Sequence, residues 1–147
     1  MSPEKQKEFE ELYLFIEYYS THYLNIDREN RAHPSNCLDE AVKKTGKSKA
    51  LQGLKQAVND SIEDTADFDL EALKLFDSEL SSKGIITLSA LRQRYSSKYK
   101  RILKRGIIKN ETEYYLVNGL LCDLDNGLPT EENAKLSKMI EEFEKNA

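Results

Sequence analysis

The sequence predicts an all-α protein: one domain over residues 1–147, built as a compact multihelical array of about seven to eight helices. Three observations predict it. Apolar residues recur at intervals of three and four along most of the chain, and no segment shows convincing strand character. Helix start and stop residues punctuate those runs at Ser2-Pro3, Gly46, Asp69, Gly84 and Gly106. A chain of 147 residues, 39% hydrophobic and 33% charged, with six Gly and three Pro, can bury one well-solvated helical core and has little room for long loops.

In chain order, Ser2 reads as an N-cap, Pro3 as the first helical residue and Glu4 as an acid favoured by the helix dipole. Phe9, Leu12, Tyr13, Ile16, Tyr19 and Tyr23 then form one apolar stripe on a long first helix. The polar run after it, broken by Pro34, reads as a loop, with a short helix from Cys37 to Lys44 stopped by Gly46. Ser48 is placed to cap a third helix carrying Leu51, Leu54, Val58 and Ile62. Asp69 caps a fourth, with Phe68 stapling onto Leu73, an inner face of Leu70, Leu73, Phe76 and Leu80, and Gly84 as its stop. Thr87 caps the next helix, Leu88 to Tyr95, and a basic helix from Ser97 to Arg105 ends at Gly106. Asn110 with Glu113 forms a capping-box start. The helix that follows carries Leu116, Val117, Leu120, Leu121 and Leu124 and is apolar nearly all round, which makes it the expected central helix. Thr130 is placed to cap a last amphipathic helix through Leu136, Met139, Ile140 and Phe143.

The N-terminus lacks the basic and apolar regions of a secretion signal, and the apolar run from Leu12 to Tyr19 is too short to span a bilayer. A cytoplasmic, reducing location with no membrane partner is therefore expected, with Cys37 and Cys122 as free thiols. A net charge of -4 argues against a general nucleic-acid coat.

Charge is strongly segregated. From Leu80 to Asn110 the chain has no acid and nine of its 22 basic residues, so that stretch is +9 and the remainder about -13. Within segment 83–109, Arg92, Arg94, Lys98 and Arg101 sit on two short helices joined by a serine turn, with Tyr95 and Tyr99 interleaved. That arrangement would let them meet phosphates in a helix-turn-helix or single-strand mode. The competing reading is an interior electrostatic counterpart to the acidic helices around it, which leaves the acidic remainder as the face to test first. Its densest part is Asp60, Glu63, Asp64, Asp67 and Asp69, five carboxylates in ten residues. Such a cluster is either a solvated helix junction or a contact patch that imitates a phosphate backbone and steers toward a basic partner. Tyr18 lies off the apolar stripe beside acids, where a tyrosine serves as an interface anchor or a surface ring.

No catalytic constellation emerges, so the chain is expected not to be an enzyme and to need no cofactor. Thr45 to Ser48 spell TGKS, but Ala41 stands where a phosphate-binding loop needs its first glycine. His22, His33, Cys37 and Cys122 show no recognised zinc spacing, and no metal site is assigned. The acidic run lacks the glycine and terminal glutamate of an EF-hand.

The stretch LRQRYSSKYKRILKRGIIKNETEYYLVNGLL, Leu91 to Leu121, looks like the C-terminal part of small bacterial proteins. In size, acidity and helicity the chain as a whole resembles immunity proteins of bacterial toxin systems, including those of contact-dependent growth inhibition. The resemblance is one of class and carries over no residue role. It implies a non-enzymatic protein that binds a toxin domain, commonly a nuclease, and blocks it. The acidic run, with Tyr18, is the contact expected for such a partner, and a nucleic-acid regulator using segment 83–109 is the alternative.

Overall fold

A serine before proline, a glycine with positive φ or an aspartate at the end of a polar turn starts or stops most elements of this chain, and the elements are helices. The computed structural model describes residues 1–122 and 129–146. Among those residues the order is α1 (Pro3–Tyr18), a π-helical turn (Tyr19–Tyr23), α2 (Pro34–Thr45), α3 (Lys47–Asp64), α4 (Leu70–Ser82), α5 (Leu88–Tyr95), α6 (Ser97–Arg105), α7 (Glu111–Cys122) and α8 (Thr130–Lys145), with no strand. Leu124, expected on the central helix, lies outside the described residues, as does the side chain of Cys122; the Cys37 thiol is free and exposed. The chain forms two compact units, Met1–Ser61 with Gly84–Ile86, and Ile62–Lys83 with Thr87–Ala147.

In the first unit, Ser2 caps α1 by accepting from the Lys5 N–H at 3.2 Å, and Phe9, Leu12, Phe15, Ile16 and Tyr19 are buried. The stripe does not run as far as Tyr23, which is 40% exposed. After Tyr18 the helix widens: the Leu24 N–H reaches the Tyr19 carbonyl, five residues back, at 3.0 Å. That extra residue per turn stacks Tyr19 on Tyr23 at 4.9 Å, and Asn25 then ends the helix in the left-handed region at φ 57.

Pro34 is not inside a loop. It is the first residue of α2, where its missing N–H costs nothing, and His33 is the N-cap. The His33 Nδ1 accepts from the Ser35 N–H at 3.1 Å, so the neutral ring must carry its proton on Nε2, which donates to Thr21 Oγ1 at 2.8 Å. One buried imidazole therefore caps α2 and ties it to the π turn. Gly46, at φ 87, separates α2 from α3, which starts at Lys47, one residue before the expected cap at Ser48.

In the second unit α7 packs against α4, α5, α6 and α8, the central position its sequence predicts. Its Leu116, Val117 and Leu120 join Tyr99, Ile102, Ile108, Leu136, Met139 and Ile140 in one buried cluster. Gly119 lets α4 approach closely, since a Cβ there would collide with the side chain of Leu73. The caps at Asp69 and Thr87 form as expected, Ser96 caps α6 as well, and Phe68 meets Phe76 edge-on at 5.9 Å. Asn110 Oδ1 accepts from the Glu113 N–H at 2.9 Å, while Glu113 reaches back to the Lys109 N–H. Thr130 is itself the first residue of α8 and Pro129 holds the cap position without a side-chain bond. The Tyr99 hydroxyl donates to Glu132 at 2.6 Å and fastens α6 to α8.

Burial, and then Arg28, push the His33 pKa below the ordinary 6.5. The folded state requires the neutral ring, whereas the unfolded chain takes up a proton near pH 6.5. The stabilising contribution is therefore whole above that pH and declines as pH falls below it. Urea titrations followed by circular dichroism are expected to show the midpoint falling between about pH 7.5 and about pH 5.5. The His33→Asn variant, whose amide oxygen caps without titrating, should show a smaller fall. An equal fall in both proteins refutes the role given to His33.

Candidate functional site

The densest acidic surface of the second unit is the turn that carries the chain from α3 into α4. Glu63 and Asp64 close α3, Asp67 lies in the turn, and Asp69 caps α4 by accepting from the Ala72 N–H at 2.8 Å; all four are exposed. Four like charges so close together favour opening of the turn, and three bonds oppose it. The Ala66 N–H donates to the Glu63 carbonyl at 3.2 Å, and the Phe68 N–H to the Thr65 carbonyl at 3.1 Å. From beneath, Arg92 Nη2 donates to that same Thr65 carbonyl at 2.7 Å.

Arg92 is the unusual member of this site. It is 0% exposed, and its Nε and Nη1 have no hydrogen-bond partner among the described residues. Burial pulls its pKa down from 12.5 to about 10, and the charge of Asp77 only partly opposes the shift. Asp77 is itself engaged, accepting from the Leu88 N–H at 2.8 Å, the Ser89 N–H at 3.3 Å and the Ser89 hydroxyl, and so holding the N-terminus of α5 onto α4. The acidic turn is thus a stiff display of carboxylates, anchored from inside by a cation that has exchanged water for one carbonyl.

Of the remaining predicted contact residues, Asp60 lies on α3 three residues before Glu63, and Tyr18 is the last residue of α1, in the first unit. Asp60 is exposed and accepts from Gln56 at 3.0 Å. Tyr18 is half-buried, with its ring 4.7 Å from that of His22, at the edge of a hollow of about 310 Å3 that Leu14 and Arg28 also line.

The four cations of the alternative site differ in exposure. Arg92 faces inward with Leu88 and Leu91, Lys98 is half-buried, and Arg94 and Arg101 are exposed. Tyr99 is buried and hydrogen-bonded, so it offers no face for a base to stack on. The interior-counterpart reading holds for Arg92 and for Arg105, which pairs with the buried Glu113. It does not extend to Lys100, Arg101, Lys104 and Lys109, which are exposed without an ion pair among the described residues.

One constellation in the first unit was not anticipated. Arg28 donates from Nε to Glu17 at 3.0 Å, from Nη1 to Asn36 and from Nη2 to the Tyr13 hydroxyl at 3.4 Å, and that hydroxyl donates to Asp39 at 2.9 Å. Beside it runs a groove of about 630 Å3 with Phe9, Tyr13, Leu14 and Val42 among its lining. Both ring nitrogens of His33 are occupied by hydrogen bonds, and among the described residues no group of three His, Cys, Asp or Glu side chains is placed to hold a metal ion.

The class these features define is an all-helical, charge-segregated protein with a rigid acidic turn. Comparison with protein-family models, with curated proteins and with solved structures finds no match.

The two roles of Arg92 are separable. Arg92→Met removes one hydrogen bond of about 1 kcal/mol but also an uncompensated buried charge, so stability is expected to stay within about 1 kcal/mol of the parent. Arg92→Ala leaves a cavity as well and is expected to cost about 2–4 kcal/mol. Denaturant titration of both variants checks this, and an equal large loss in both would show that the charge itself is required.

Proposed function

We propose that this chain is a non-enzymatic protein-binding module of the immunity type, which neutralises a bacterial toxin domain in the cytoplasm. The observation that carries the reading is the acidic turn: Glu63, Asp64, Asp67 and Asp69 are exposed on a backbone fixed by helix ends on both sides and by Arg92 from within. A rigid cluster of carboxylates attracts a basic partner over a long range and loses little conformational freedom on contact. A nuclease toxin has such a partner surface, because it must hold a phosphate backbone. Among the described residues, no helix is long and apolar enough to cross a membrane.

A second reading, a nucleic-acid-binding regulator, rests on the exposure of Arg94 and Arg101 in segment 83–109. It has lost Arg92 and Tyr99, both buried, from its set.

Binding to purified toxin nuclease domains from contact-dependent growth inhibition systems, measured by calorimetry and by protection of growth on co-expression, tests the first reading. A cognate domain is expected to bind tightly. Reversing Glu63, Asp64 and Asp67 to lysine should weaken binding by at least roughly a hundredfold, with a large part of the loss in the association rate. Asp69 is left intact because its removal costs the cap of α4, about 1 kcal/mol. Weak binding without protection sinks this reading. A complex with an oligonucleotide whose affinity falls steeply with salt would support the second reading instead.

A further inference from the structure

Isolated exposed apolar side chains are ordinary, and only their surroundings give them meaning. The two most exposed large apolar side chains among the described residues, Leu75 at 66% and Ile107 at 58%, both belong to the second unit and have opposite surroundings. Leu75 is on the outer face of α4, with exposed Glu71 one turn before it and exposed Glu79 one turn after it. The opposite face of α4 is buried through Leu73, Phe76 and Leu80, and the Asp69 cap fixes its start, so Leu75 is held outward. Exposed Lys74 precedes it in the helix.

Ile107 is held outward by a different device. After Gly106, at φ 79, the Arg105 guanidinium folds over the turn and donates from Nε and Nη2 to the Ile107 carbonyl at 3.0 and 2.7 Å. Nη2 also pairs with Glu113, which is 7% exposed and accepts from the Lys109 N–H at 2.9 Å, while Ile108 turns into the core. Lys104 and Lys109 bracket Ile107 in the chain, and Lys100 and Arg101 continue the basic face one turn back along α6. The result is a fixed apolar knob in a cationic setting.

We propose that these two faces bind one another between copies of this chain, Glu71, Leu75 and Glu79 of one copy meeting Arg101, Lys104 and Ile107 of another. Each face has the anatomy of a contact centre, an apolar anchor inside a charged rim, and the two rims are of opposite sign. A nucleic acid would account for the cations but not for Ile107 or for the acidic face. A second copy accounts for both. A two-fold pair makes the contact twice, and an open chain makes it once per copy. This inference does not depend on the toxin partner proposed above.

Sedimentation equilibrium of the full chain from roughly 10 μM to 1 mM, the range in which small interfaces associate, tests it. At low salt the weight-average mass is expected to approach or exceed twice that of one chain, and to fall as salt screens the rims. The double variants E71K/E79K and R101E/K104E should each remain single chains. An equimolar mixture should associate again, because each reversed face then meets a complementary one. Leu75→Ser and Ile107→Ser, which leave every charge in place, should each weaken association at least tenfold. A parent that stays a single chain over the whole range overturns the proposal. So do variants that associate like the parent, or a mixture that does not recover.

Discussion

The bond from Arg92 to the Thr65 carbonyl ties α5 to the turn between α3 and α4, and the local structure of the second unit is arranged around it. A guanidinium withdrawn from water and given one acceptor is an expensive way to fill a core, and the same burial lowers its pKa to about 10. Two neighbours depend on it. The Thr65 carbonyl stands just past the end of α3 and accepts from both the Phe68 N–H and Arg92, so the turn and α5 share one acceptor. Asp77 contributes a favourable charge to Arg92 while its oxygens hold the first N–H groups of α5, the helix that carries Arg92. Position and charge therefore fix each other: α5 must sit against α4 for Arg92 to reach the turn.

This arrangement gives the charge segregation two separate meanings. Arg92 in the core and the exposed Arg105 each act on a backbone carbonyl next to a helix end: Arg92 at the close of α3, Arg105 just beyond the close of α6. Both are arginines, whose planar forked donors can serve a carbonyl from more than one nitrogen. The other cations of the stretch, Arg94 and Arg101 together with the lysines, are exposed or half-buried. The stretch is thus basic both in the core and at the surface.

Much of this was legible in the sequence because it is local. Caps at Ser2, Asp69, Thr87, Ser96 and Asn110, and stops at Gly46, Gly84 and Gly106, depend on a few consecutive residues and formed where their chemistry predicts. Arg92 was legible too, for a reason that composition hides: it stands four residues after Leu88 and three before Tyr95, on the inward stripe of α5, whereas Arg94 stands off it. Leu75 likewise misses the stripe of Leu73, Phe76 and Leu80. What could not be read is long-range. The use of His33 as a cap depends on Thr21, twelve residues away, to fix its tautomer, and the first helix widens after Tyr18 with no break in its sequence pattern to announce it. Ile107 and Ile108 are identical neighbours, and only the Arg105 and Glu113 lock decides which one is buried.

The acidic turn gathers Glu63, Asp64, Asp67 and Asp69 at the surface. Their carboxylates repel one another most when the protein is alone, at low salt, with no cation nearby. An unpaired buried arginine can stabilise the backbone beneath them without neutralising them, because its bond is to a carbonyl and not to a carboxylate. Pairing it with one of the surface acids would have gained Coulomb energy and reduced the field outside. Leaving the acids unneutralised keeps that field directed at whatever basic surface approaches. The internal cation therefore holds the backbone of the acidic turn and leaves the charge of its carboxylates at the surface.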